Sequence, residues 1–301
     1  MKKLYPFWVG SCALLLTSCL NIKSVNTFST ATQAGLQPSP ALPVTFERIY
    51  RYRTLTDSLS RHPFNRIPVI GLDFDSEVGR DSLASYRRAD SLMLAGTTLL
   101  VNYFKGIAAL SATGSSFKPV QLKSASFDAF MQGSVVKLTP EETVAFNRVL
   151  SVVGTLATSG YRQRTLKALL NQSYPDVRQV LGVLIFAHER LADVVAISRE
   201  QQYNTYKNGL IRDPALSYTQ KRELAQQWLR TSQETELNRQ AVQTHVKTLS
   251  TIRAGYDQLY ASRNHLTRKD LVSSLGGYVA TLQQLHTDLE QLRPAYGRLV
   301  P

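Results

Sequence analysis

Cysteine is almost missing from this chain: among its 301 residues only Cys12 and Cys19 carry a thiol. Everything after residue 19 is therefore without a disulfide and needs a hydrophobic core of its own. Alternating apolar and polar stretches bounded by turn residues are equally scarce, which argues against a β-sandwich or barrel. No repeat of ~20–50 residues is evident, so a solenoid is not expected. Past the N-terminal segment there is no run of ~20 uncharged apolar residues, so nothing later is expected to span a bilayer. The nearest approach, Leu92 to Leu110, is interrupted by Asn102 and Lys105. Catalytic patterns are missing too. The five histidines stand in no Glu-x-x-His or His-Glu-x-x-His, and there is no glycine-rich phosphate loop or Gly-x-Ser-x-Gly elbow. The expectation is a non-catalytic protein with no metal and no dissociable cofactor. Acid is short against base, 22 residues to 35, for a net charge of +13. That surplus suits an anionic lipid or polysaccharide, while the absence of a reading motif speaks against nucleic acid.

What the N-terminus does contain is specific. Lys2 and Lys3 precede an apolar run from Leu4 to Leu16, which ends in Leu16-Thr17-Ser18-Cys19. A charged segment followed by an apolar one is the layout of a secretory signal. With leucine three residues before the cysteine and small residues between, it resembles the lipobox of bacterial lipoproteins. The resemblance covers residues 1–19 only. It implies cleavage before Cys19, diacylglycerol on the Cys19 thiol and acylation of the new amino terminus. Loss of Lys2 and Lys3 with the signal lowers the net charge from +13 to +11. The residue after the cysteine is Leu20 and not aspartate, and no acidic run follows. By the same resemblance the expected place is the cell envelope, on the periplasmic face of the outer membrane if the host has two membranes.

Residues 19–44 then read as the lipidated terminus and a disordered linker, with one charge, Lys23, and the run Pro38-Ser39-Pro40-Ala41-Leu42-Pro43. The domain expected from 45 to 301 is all-α, an elongated up-and-down antiparallel bundle of long helices. A short helix with Phe46, Ile49 and Tyr50 on one side is expected within 44–60, and a long one over 80–112. Between them, Asp73-Phe74-Asp75 resembles the first motif of haloacid-dehalogenase phosphatases. No parallel sheet is legible downstream and Glu77 departs from the motif, so these residues read as caps of the next helix. Residues 125–132 suggest a turn or two. Thr139-Pro140-Glu141-Glu142 is a helix start with a capping box, predicting a helix to about Asn171 with a bend near Gly160. Tyr174-Pro175-Asp176 predicts a new helix over 175–211. The span 219–262 carries a coiled-coil-like seam through Leu224, Trp228, Val242, His245, Leu249 and Tyr256, and 267–292 a last helix.

Two constellations follow. His188 and His245 fall on facing seams, either as buried histidines that fix register or as half of a metal or proton-sensing site needing Asp193, Glu189 or a third helix. Arg162, Arg164, Lys167, Arg178, Arg263, Arg268 and Lys269 are expected to gather at one end as a candidate anion-binding pole, joined by Arg87 and Arg88 if the helix from 80 is antiparallel to that from 139. A lipid-anchored scaffold with an envelope protein partner is the leading functional expectation. Binding of anionic lipid or polysaccharide comes second, and a membrane-inserting bundle third.

Overall fold

A computed structural model describes residues 22–37, 44–52, 77–112, 138–155, 162–212, 214–266 and 269–297. The lipobox with Cys19, the Asp73–Asp75 stretch, the turns at 125–132 and Arg268 lie outside the described residues. Among the described residues every regular element is helical: α1 (Ile22–Leu36), α2 (46–52), α3 (Glu77–Ser111), α4 (Pro140–Thr155), α5 (Arg162–Arg212), α6 (Tyr218–Ala261) and α7 (Lys269–Gly297). The all-α bundle expected from the sequence is what the chain forms.

Its spine is the antiparallel pair α5 and α6. At ~1.5 Å per residue these helices of 51 and 44 residues are about 76 and 66 Å long. Their register is fixed along the length by Arg178 on Asp257, His188 beside His245, Arg199 on Glu236 and Trp228 against Tyr206. Ser217 caps α6 in a full capping box with Gln220; Thr139 and Glu142 do the same for α4.

The expected break at 174–175 does not exist. α5 runs straight through Pro175, and α4 ends earlier, at Thr155, before the segment holding Gly160. An interior proline costs roughly 3 kcal/mol. Here buried residues on both sides outweigh it: Leu166, Leu170, Ser173, Val177, Val180 and Leu184 continue one stripe across the proline without a phase change. Tyr174, next to the proline, stacks on Tyr260 at 3.7 Å and donates its hydroxyl proton to Asp257.

Much of the expected linker is structured as well. Residues 22–36 are a helix packed inside the bundle, with Val25, Phe28, Ser29, Thr32 and Leu36 buried. The phase of those five residues is helical, and their apolar members find a cleft between α3, α6 and α7. Phe28 is 0 % exposed and meets Phe104 edge to face. It lies so close to α6 that a Cβ on Gly255 would stand 2.4 Å from its ring. Beside it Tyr103 shares hydrogen bonds with Ser173 (2.6 Å) and Tyr256 (2.8 Å), all buried. Burial pushes the Tyr103 phenol up to about 12, although both hydrogen bonds oppose the shift.

Helix directions follow from paired contacts. Asn26 bonds Ala108 and Phe28 meets Phe104, so α1 and α3 are antiparallel. Tyr103 meets Ser173, while Gly96 lies against Leu184, so α3 and α5 are antiparallel as well. Arg148 on Asp176 and Phe146 near Leu184 make α4 antiparallel to α5. It follows that α3 and α4 run parallel, so the condition under which Arg87 and Arg88 would join the basic end is not met. The 112–139 connection is long enough to cross the bundle, so the short-loop rule that forces antiparallel neighbours does not apply to it. One end of the body therefore collects the starts of α1, α5 and α7 and the ends of α3, α4 and α6.

Candidate functional site

The basic residues are only partly brought together. Lys167, Arg178, Arg263 and Lys269 lie toward the end where α5 and α7 begin. There Arg178 is spent on Asp257, while Arg263 bonds Asn171 at 2.6 Å and covers the Tyr260 ring. Lys167 and Lys269 are exposed, and the backbone carries Arg162 and Arg164 in the first turn of α5. Arg87 and Arg88 are elsewhere. Because α3 starts at the opposite end, Arg87 pairs there with Glu47 (3.0 Å).

The histidine pair is where the seam register puts it. The His188 and His245 rings are 5.8 Å apart and tilted by 38°. His188 Nδ1 lies 2.8 Å from the Leu184 carbonyl, which can only accept, so Nδ1 carries the proton and Nε2 keeps its lone pair. Burial holds both imidazoles neutral: His188 is lowered, and His245 is lowered to about 4, first by burial and then by His188. Both line a cavity of about 200 Å³ with Gly35, Asp90, Met93 and Leu191. Asp193 and Glu189 do not join them. Asp193 faces Arg190 at the surface, Glu189 is exposed, and among the described residues no three His, Cys, Asp or Glu side chains form a metal-holding group.

Asp90 is the cavity residue that sequence reasoning missed. Its carboxylate accepts the backbone N–H groups of Phe46 (2.8 Å) and Glu47 (3.0 Å), so it caps α2 from 44 residues away. Burial raises its pKa even against those bonds. With both oxygens occupied, Asp90 fastens α2 over the cavity and is not set up as a base for the imidazoles.

The far end is different in kind. Past the level of Tyr52 in α2 and the start of α3, α5 and α6 continue as a two-helix hairpin whose described residues between 203 and 229 include none that is buried. Trp228 sits between Tyr203 (5.6 Å) and Tyr206 (5.5 Å). Around the tip Ile211 is 69 % and Tyr218 83 % exposed, and Leu229 is exposed below them. One further stretch, Ser82–Ser111 of α3, is long and apolar enough by length and composition to cross a membrane, and most of its apolar window is packed in the core. Compared with known families, curated proteins and solved structures, the chain matches none.

Proposed function

We propose that this chain is a lipid-anchored, non-catalytic interaction protein of the bacterial cell envelope, in which the α5–α6 hairpin presents its tip to a protein partner. The reading combines the Cys19 lipobox with a single structural observation: large apolar side chains, Ile211, Tyr218 and Leu229, are exposed on a stalk that projects past the packed body. Exposed aromatic residues at the end of a regular stalk are costly to leave in water and are typical anchors of protein interfaces. The acyl groups on Cys19 would be the only attached cofactor, and the outer membrane's periplasmic face the setting in a two-membrane host.

Two measurements test the two halves of the reading. Radiolabelled palmitate should enter the protein and be lost in Cys19→Ala; a labelled Cys19→Ala protein removes the anchor. A photo-crosslinker at position 218 should give a discrete adduct in intact cells that disappears when Ile211→Ser and Leu229→Ser are added. An adduct unchanged by those substitutions removes the tip as the contact surface.

A further inference from the structure

Resting on the lipobox reading of Cys19, we infer that the body end formed by the starts of α1, α5 and α7 docks on anionic phospholipid headgroups. The protein then stands on the membrane with its hairpin tip pointing away. Three observations converge. First, α1 leaves no long tether: it begins at Ile22 and buries a side chain, Val25, within its first turn. Three residues from Cys19 span at most about 10 Å, comparable to the ~8–10 Å over which charges are felt at physiological salt. Second, that end is cationic. Lys23, Lys167 and Lys269 are exposed there, beside the Arg162 and Arg164 positions, and Asp270 is the acidic residue in the first turns of α1, α5 and α7. The nearby Asp176 and Asp257 are already matched by Arg148 and Arg178.

Third, helix stability does not account for this arrangement. Cations favour a helix at its C-terminus and disfavour it at its N-terminus. At this end the last turns of α3, α4 and α6 contain no basic residue, whereas the first turns of α1, α5 and α7 contain Lys23, Arg162, Arg164 and Lys269. The cations stand where the dipoles oppose them. An external anionic surface resolves that conflict, and the anchor brings one within reach. Lipid is favoured over polysaccharide because the acylated chain would enter the fold at the same end as these cations.

The test uses the mature chain from residue 19 with Cys19→Ala, so that binding reports charge and not acyl insertion. Co-sedimentation with phosphatidylglycerol-containing vesicles is compared with neutral phosphatidylcholine vesicles. Lys23→Glu, Lys167→Glu and Lys269→Glu together should weaken binding to the anionic vesicles by about tenfold or more. Lys221→Glu with Arg222→Glu, at the hairpin tip, should leave it unchanged, and circular dichroism should show both variants folded like the parent. Equal binding to neutral vesicles, or loss through the tip variant and not the end variant, overturns the inference. So does binding to dextran sulfate without binding to anionic vesicles. Because the assay omits the acyl anchor, its failure leaves Cys19 acylation standing, and absent palmitate labelling leaves this measurement intact.

Discussion

From Tyr218 to Gln240, α6 buries no residue, whereas from Ala241 to Ala261 it buries eight. The two halves are continuous in backbone and opposite in what holds them. The body half packs Ile252, Tyr256 and Leu259 into an aromatic core completed by Phe28 from α1. The other half, from the foot of the stalk to its tip, is held by half-buried and exposed side chains. Arg199 and Arg239 converge on Glu236 at 3.3 and 2.6 Å, Arg48 reaches Glu234 at 3.0 Å, and Trp228 is clasped by two tyrosines. Exposed ion pairs contribute only ~0–1 kcal/mol each, so the stalk should open locally long before the body unfolds. A surface that meets partners can tolerate such opening; a core that fixes helix directions cannot.

The contrast should be sharpest at Phe28. Phe28→Ala empties a fully buried ring site and should cost about 3–5 kcal/mol. Denaturant unfolding should show that loss, and hydrogen exchange should show α1 deprotected while the 203–229 hairpin is unchanged. A loss below about 1 kcal/mol would mean that α1 is not part of the body.

Acid should weaken the body next. The folded pKa of each seam histidine lies below the ~6.5 of an unfolded histidine, so the unfolded chain binds more protons and stability rises with pH. The contribution is complete above about pH 6.5. It is lost as pH falls from there toward the value of about 4 held by His245, on the order of 2–3 kcal/mol at the bottom of that window. Guanidinium titrations from pH 7 to 4 should show a shallower slope in His188→Gln/His245→Gln than in the parent. Equal slopes would mean that the pair is solvated.

The stalk should yield the smallest global effects. Trp228→Ala should cost about 1 kcal/mol or less, since the aromatic contacts it loses contribute ~0.5–1.5 kcal/mol before solvent exposure is considered. Exchange confined to 203–229 should nevertheless rise, by up to about fivefold, the change that ~1 kcal/mol of local stability produces. Unfolding of the whole protein at a lower denaturant midpoint, without that local signature, would erase the distinction between stalk and body.

Much of the bundle was legible because helical periodicity survives in a bare sequence. The seam through Val242, Leu249 and Tyr256, the capping box at Thr139 and the meeting of His188 with His245 all follow from spacing. Pro175 reads as a break because it is a local stop signal, while the apolar stripe that crosses it in phase is spread over several turns. The 20–44 segment reads as a linker because its serines and threonines look solvated. Yet Ser29 and Thr32 are buried, and Val25, Phe28 and Leu36 provide just enough of a face. Asp90 was invisible because its partners, the Phe46 and Glu47 amides, belong to another helix.

The sequence by itself determined the helices, their long seams and the excess of cations, since each depends on neighbours within a few turns. Tertiary structure alone decided that α1 enters the core, that α3 and α4 run parallel, and which end gathers the lysines. Those outcomes depend on which cleft an amphipathic face can fill and on which direction a long connection permits. No local pattern encodes either, because the free energy that selects them is released only when distant surfaces leave water together.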